Sequence, residues 1–281
     1  MKIYTINAGY FKLDGGAMYG VVPKSMWNKI NPADDNNMCT WAMRCLLVVY
    51  GERKILIDNG MGTKQDEKFF NHFYPHGDDS IEKNLAKYGY NTDDITDVFL
   101  THLHFDHCGG SIIRDGDKLV PTFKNATYWS NQLHWESATH PNEREKASFL
   151  KENILPIQES GKLKFIDIVD GMEWLPNIKL HIVNGHTDSL MLPEINCNGT
   201  TLLFCADLIP SAGHISMPWV MAYDMRPLVT LNEKHKLLNK AIEGNWVLFF
   251  EHDPKIECCT LQQTDGRIKL QQTYKLEDLI N

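Results

Sequence analysis

A chain of 281 residues, 43% hydrophobic and 23% charged, has the composition of an ordinary globular protein, which excludes a disordered chain and one that needs disulfide staples. Its 28 basic and 36 acidic side chains give a net charge of −8, which excludes the basic footprint of a general nucleic-acid binder. No apolar run reaches the roughly 18 residues of a membrane span, and the first twenty residues lack a signal-peptide layout, so no membrane partner and a cytoplasmic location are expected.

In chain order, residues 2–7, 44–50 and 54–58 read as strands, the last two flanking a turn at Gly51-Glu52. Residues 79–90 read as a helix, with Asp79 as its cap, Glu82 three residues on and Gly89 as its stop. A strand follows at 97–101, rich in β-branched and aromatic residues. Residues 131–160 are polar and helix-prone, broken around Pro141 and Pro156. Further strands are expected at 163–169, 178–183, 201–206 and 246–250, a helix at 230–243, and a hairpin over 261–273 turning at Asp265-Gly266. The uninterrupted apolar runs LLVV, ILI and VLFF suit strands covered on both faces. Seven cysteines without a CxxC pair read as small buried hydrophobes in a reducing compartment.

The chemistry concentrates in Thr101-His102-Leu103-His104-Phe105-Asp106-His107-Cys108-Gly109-Gly110. Neutral imidazoles and carboxylates are ligands of zinc and similar divalent ions. In an extended backbone His102 and His104 share a face, and a turn after them would aim Asp106 and His107 elsewhere. Gly109 and Gly110 permit a tight reversal. Three further candidates stand at the carboxyl ends of predicted strands, where loops gather functional groups: His186, Asp207 and His252.

The order HLHFDH, GH, D, H resembles the metallo-β-lactamase superfamily, over most of the chain from Ile55-Leu56-Ile57-Asp58-Asn59-Gly60 to His252. The resemblance implies an α/β chain folded as a four-layer αββα sandwich, with a dinuclear metal site. By the family pattern His102, His104 and His186 would hold one ion, and Asp106, His107 and His252 the other, with Asp207 bridging. Asp58 matches an acid of the family's D-T-G turn, with Asn59 in place of the threonine. His104 in place of glutamate sets the chain apart from the flavodiiron branch, and the aspartate bridge and second-site histidine from lactamases with a second-site cysteine. TDVFLTHLHFDHCGG, GYNTDDI, VVPKSMW and ADLIP look most like the N-acyl-homoserine lactonase and methyl parathion hydrolase group. Two departures stand out. Pro210 occupies the place of a lactonase tyrosine, so Tyr223 would have to substitute from another loop. The family's GHTPGH is here Gly185-His186-Thr187-Asp188-Ser189-Leu190.

The resemblance implies a hydrolase that uses a metal-bridging hydroxide on a small ester, lactone or organophosphate. A thioester or phosphodiester hydrolase, or a catalytically silent metal-binding module, are the alternatives. Zinc is the first expectation for the two divalent ions, with manganese, iron or cobalt compatible with the same oxygen and nitrogen donors. Asp106 or Asp207 would relay the proton, and His214 or Tyr223 would protonate the leaving group. Met18, Tyr19, Met26, Trp27, Met217, Trp219 and Met221 lie in two Pro- and Gly-rich segments that suit either the lining of a partly hydrophobic pocket or a homodimer contact. His72, His76, His134, His140, His181 and His235 fit no ligand pattern. Because the ligand set spans 102 to 252, a single domain over 1–281 is expected.

Overall fold

The computed structural model describes residues 1–280 and divides the chain into two compact units. The first comprises Met1–Gly9 and Met43–Ile168, the second Tyr10–Ala42 and Val169–Asn281.

The first unit is organised by a six-stranded sheet in the order Lys2–Asp14, Met38–Tyr50, Arg53–Ile57, Asp97–Phe99, Thr127–Ser130, Leu163–Phe165, to which the first two strands contribute residues 2–9 and 43–50. Arg53–Ile57, Asp97–Phe99, Thr127–Ser130 and Leu163–Phe165 run parallel, and their carboxyl ends open on the histidine segment. Leu46, Leu47, Val48, Leu56, Ile57, Val98 and Phe99 are buried, as expected of apolar runs without alternation. The helix read at 79–90 is Ile81–Lys87, and Ser80 caps it, its hydroxyl accepting from Lys83 N–H at 3.3 Å. Asp79 instead accepts from Asn7 and Asn84 at 2.9 Å. The segment 131–160 holds two helices, Gln132–Thr139 and Lys151–Glu159. Pro156 lies inside the second, where it removes one backbone donor without ending the helix.

The second unit is organised by a seven-stranded sheet from Arg267–Tyr274 at one edge to Met172–Leu175 at the other. Leu190–Cys197, which pattern reading passes over, is an interior strand between Ile178–Val183 and Thr200–Phe204. The hairpin forms as expected, with Asp265 (φ +52°) and Gly266 (φ +69°) supplying the two left-handed residues of its turn. All seven cysteines are buried thiols. No described helix is long and apolar enough to cross a membrane.

The helix Pro227–Glu243 packs its first turn against Gly185. A Cβ there would lie 2.3 Å from Thr230 Oγ1 and 2.4 Å from its backbone nitrogen, while Glu233 accepts from the N–H groups of Asn184 (2.7 Å) and Gly185 (3.0 Å). The glycine before His186 is therefore a packing requirement. Gly185→Ala should destabilise the fold by about 1–3 kcal/mol through overpacking, read as a lowered Tm. An unchanged Tm would show that the helix shifts without cost.

Candidate metal centre

In the first unit, strand Asp97–Phe99 delivers the chain into Leu100-Thr101 and then the ligand-type run. His104 stands at the N-cap of the short helix Phe105–Cys108, whose turn carries Asp106 and His107. His102, His104, Asp106 and His107 are all buried. His102 Nε2 lies 3.1 Å from His104 Nδ1, and His107 Nε2 lies 3.8 Å from Asp106 Oδ2. Potential donor atoms thus converge in pairs without intervening apolar groups.

The tautomers follow from what each ring meets on its other side. Asp58, fully buried at φ +55°, accepts from the Thr101 N–H at 2.8 Å, the Thr101 hydroxyl at 2.6 Å and His107 Nδ1–H at 3.1 Å. The Thr101 oxygen in turn accepts from His102 Nδ1–H at 3.0 Å. His104 Nε2–H donates to Glu145 Oε1 at 3.1 Å. These bonds direct the lone pairs of His102 Nε2, His104 Nδ1 and His107 Nε2 away from the donors. His134, set aside as ordinary in the sequence, is buried and accepts the Leu103 N–H at 2.8 Å, which fixes the backbone between the first two histidines.

In the second unit, His186 follows strand Ile178–Val183, and Asp207 sits in the turn Ala206–Leu208 after Thr200–Phe204. Ala206 takes a left-handed φ of +38° in that turn. His252 follows Val247–Phe249. The Asp207 carboxylate reaches both rings, Oδ2 lying 3.1 Å from His186 Nε2 and Oδ1 3.1 Å from His252 Nε2. The outer nitrogens are again committed: His186 Nδ1–H donates to Asp224 Oδ1 at 2.8 Å, and His252 Nδ1–H to the Ala42 carbonyl at 2.7 Å. Burial pulls the His186 pKa down, but the Asp207 and Asp224 carboxylates overcome it and lift the ring from 6.5 to about 10. Negative charge thus stands against both ring nitrogens of His186.

The five rings and two carboxylates fit divalent ions by the chemistry of the donor set. Every imidazole has its remote nitrogen bound to a carboxylate, hydroxyl or carbonyl, the arrangement that holds metal-ligating histidines in one tautomer. Oxygen and nitrogen donors without sulfur suit zinc, manganese, iron or cobalt. Sequence reading missed Glu145, Asp224 and His134. Each is 31 or more residues from the ring or backbone it holds, and none carries a local spacing signal.

His214 and Tyr223 occupy different environments. His214 is buried, its Nε2–H donating to the Met18 carbonyl at 2.8 Å and its Nδ1 accepting from the Ser211 hydroxyl at 2.7 Å. Burial pushes its pKa from 6.5 down to about 3. The fold accommodates only the neutral ring, whereas an unfolded chain takes up a proton below about 6.5. His214 therefore contributes stability that is full above that value and is lost as pH falls from about 6.5 toward 3. His214→Gln should flatten the acid limb of a Tm-against-pH curve over that window. An unchanged slope would show that the acid sensitivity lies elsewhere. Tyr223, by contrast, is 38% exposed and directly precedes Asp224.

Of the apolar residues in the two Pro- and Gly-rich segments, Met18 and Tyr19 on the short helix Gly15–Tyr19, Trp27 on Lys24–Trp27, and Trp219 and Met221 are buried, and Tyr19 stacks on Trp27 and His214. Met26 is exposed. A separate aromatic group adjoins the first ligand run. Phe69 and Phe73, one turn apart on helix Glu67–Phe73, contact the Phe105 ring at centroid distances of 5.3 and 4.5 Å. Neither helix residue is fully buried.

Residues 44–252 match the family model of the metallo-β-lactamase superfamily. An N-acyl homoserine lactonase of Bacillus thuringiensis is 26% identical over 265 residues, covering 90% of this chain and 93% of the relative. The crystal structure of a probable metal-dependent hydrolase from Staphylococcus aureus is 29% identical, covers 98% of each chain and superposes with a TM-score of 0.86. AidC, a dizinc quorum-quenching lactonase, shares the fold at a TM-score of 0.78 and 22% identity, over 98% of this chain and 95% of its own. The chain belongs to the metallo-β-lactamase superfamily as a metal-dependent hydrolase, and within that family it resembles the N-acyl homoserine lactonases.

Proposed function

We propose that this protein hydrolyses lactones and related small carboxylic esters with a partly hydrophobic acyl portion, at a centre that holds two divalent ions. The observation that carries the reading is the set of five histidines whose remote ring nitrogens all donate to fixed oxygens. On this reading His102, His104 and His186 would hold one ion, Asp106, His107 and His252 would hold the other, and Asp207 would serve both. The two oxygens of Asp207, each near a different imidazole, support the bridging role. The ligand set then spans residues 102 to 252, and the chain works as one domain over 1–281.

When bound, two such ions polarise a carbonyl and lower the pKa of water toward neutrality. The chain's own residues do the rest. Asp58, Thr101, Glu145 and Asp224 keep the imidazoles in the ligating tautomer. Asp106 or Asp207 accepts the proton released in the attack. Tyr223, exposed and next to Asp224, supplies the hydroxyl that donates to the departing alkoxide. The neutral, doubly hydrogen-bonded His214 holds the 211–214 turn against Met18. Phe69, Phe73 and Phe105 offer an apolar surface for the acyl chain. The family match and the lactonase relatives support this substrate class.

The test is a substrate panel run alongside metal analysis of gently purified protein. About two zinc-group ions per chain are expected, with lactones and carboxylic esters turned over faster than organophosphates, thioesters and phosphodiesters. Fewer than about one ion per chain, or a clear preference for thioesters or phosphodiesters, would overturn the proposal.

A further inference from the structure

Lys234, on helix Pro227–Glu243, is wholly buried. Its ammonium donates to three backbone carbonyls, those of Ser216 (3.0 Å), Met217 (3.3 Å) and Trp219 (2.8 Å). Desolvation pushes this lysine down to about 7, so burying it is costly and the three carbonyls offset that cost. The result is a fixed main chain over 216–219, a stretch without regular secondary structure of its own.

That pinned segment forms one wall of a cavity of about 700 Å³ within the second unit. Ile215 and Trp219 line it from the pinned side, and Ile268 and Leu270, on the edge strand Arg267–Tyr274, line it from the other. The volume falls in the range of small-molecule sites. Arg267 and Lys269, both exposed, alternate with Ile268 and Leu270 on that strand and border the cavity, and among the described residues no aspartate or glutamate lines it. In a chain of net charge −8, a lining whose only formal charges are positive is a local reversal of sign. Asp265, the nearest acid along the chain, lies at the hairpin turn and not in the cavity wall.

We propose that this cavity binds a small amphiphilic monoanion, a carboxylate on an apolar chain, with the chain against Ile215, Trp219 and Ile268 and the carboxylate at Arg267 and Lys269. An apolar wall selects the chain. A basic margin attracts the anion and disfavours the corresponding alcohol. This site is independent of the metal-ligand residues, and the inference does not rest on the hydrolase reading.

The experiment is calorimetric titration of the full-length protein with decanoate and with 1-decanol. Saturable binding of one decanoate per chain is expected, tighter than about 1 mM and at least tenfold tighter than decanol. The double substitution Arg267→Glu/Lys269→Glu, at exposed positions, should weaken decanoate at least tenfold while Tm and ester turnover stay unchanged. Ile268→Trp, which fills the cavity, should weaken it comparably. Absence of saturable binding below about 1 mM would overturn the proposal. So would decanoate binding that the charge reversal leaves intact, since the anion would then be held elsewhere, the metal-ligand residues included.

Discussion

Asp207→Asn is expected to lower kcat/KM for the best lactone or ester by about 10³-fold or more, close to 4 kcal/mol of transition-state stabilisation. Metal content should fall from about two ions per chain toward one. The expectation follows from the reach of this one side chain, whose two oxygens each lie 3.1 Å from the Nε2 of a different histidine, His186 and His252. An asparagine keeps the shape but replaces one oxygen with an NH2 that cannot ligate, and it removes the negative charge that favours a cation beside His186. Kinetics paired with metal analysis decide the matter. A variant that keeps both ions and its turnover would show that Asp207 does not bridge.

Asp58→Ala should be the most damaging change at a residue that is not itself a proposed ligand. One fully buried carboxylate takes three donors: the Thr101 N–H, the Thr101 hydroxyl and His107 Nδ1–H. Truncation leaves all three without their acceptor in a buried place, at a cost of about 3 kcal/mol or more. It also puts alanine at φ +55°, a conformation that L residues other than asparagine and aspartate rarely hold. At the scale of this domain a Tm loss of roughly 6–12 °C follows. Metal affinity should fall about 10–100-fold, because His107 and, through Thr101, His102 lose the groups that set their tautomers. Asp58→Asn, which tolerates the backbone and retains one acceptor oxygen, should recover most of the Tm but little of the metal affinity. Melting curves with and without added metal separate the two effects. If Asp58→Ala matched the wild type in both, the orienting role given to this acid would be wrong.

Much of the first half-site was legible because its signals are local. His102, His104, Asp106 and His107 fall within six residues, so no tertiary information is needed to see that they can converge. The hairpin at Asp265-Gly266 was equally plain, since two residues able to adopt positive φ stand between paired strands. The strand Leu190–Cys197 was not legible. Pro193 within it argues against an interior strand on local grounds, yet it pairs with Leu180 on one side while the run is buried between two neighbours. Pro156 misled in a similar way, because one missing donor inside a packed helix is a smaller penalty than unpacking Ile154 and Ile157.

By itself the sequence determined which nitrogen and oxygen donors are on offer to a metal, the family, and the strand ends on which His186, Asp207 and His252 stand. The tertiary structure decided which nitrogen of each histidine carries the proton. It drew on Glu145, Asp224 and the Ala42 carbonyl, groups 41, 38 and 210 residues from the rings they hold. It also decided that His214 is a neutral, buried strut and that Lys234 is spent on three loop carbonyls. The reason is physical. Ligand identity is a property of a side chain and its near neighbours, whereas a tautomer or a buried charge is set by whichever polar group the fold places within about 3 Å.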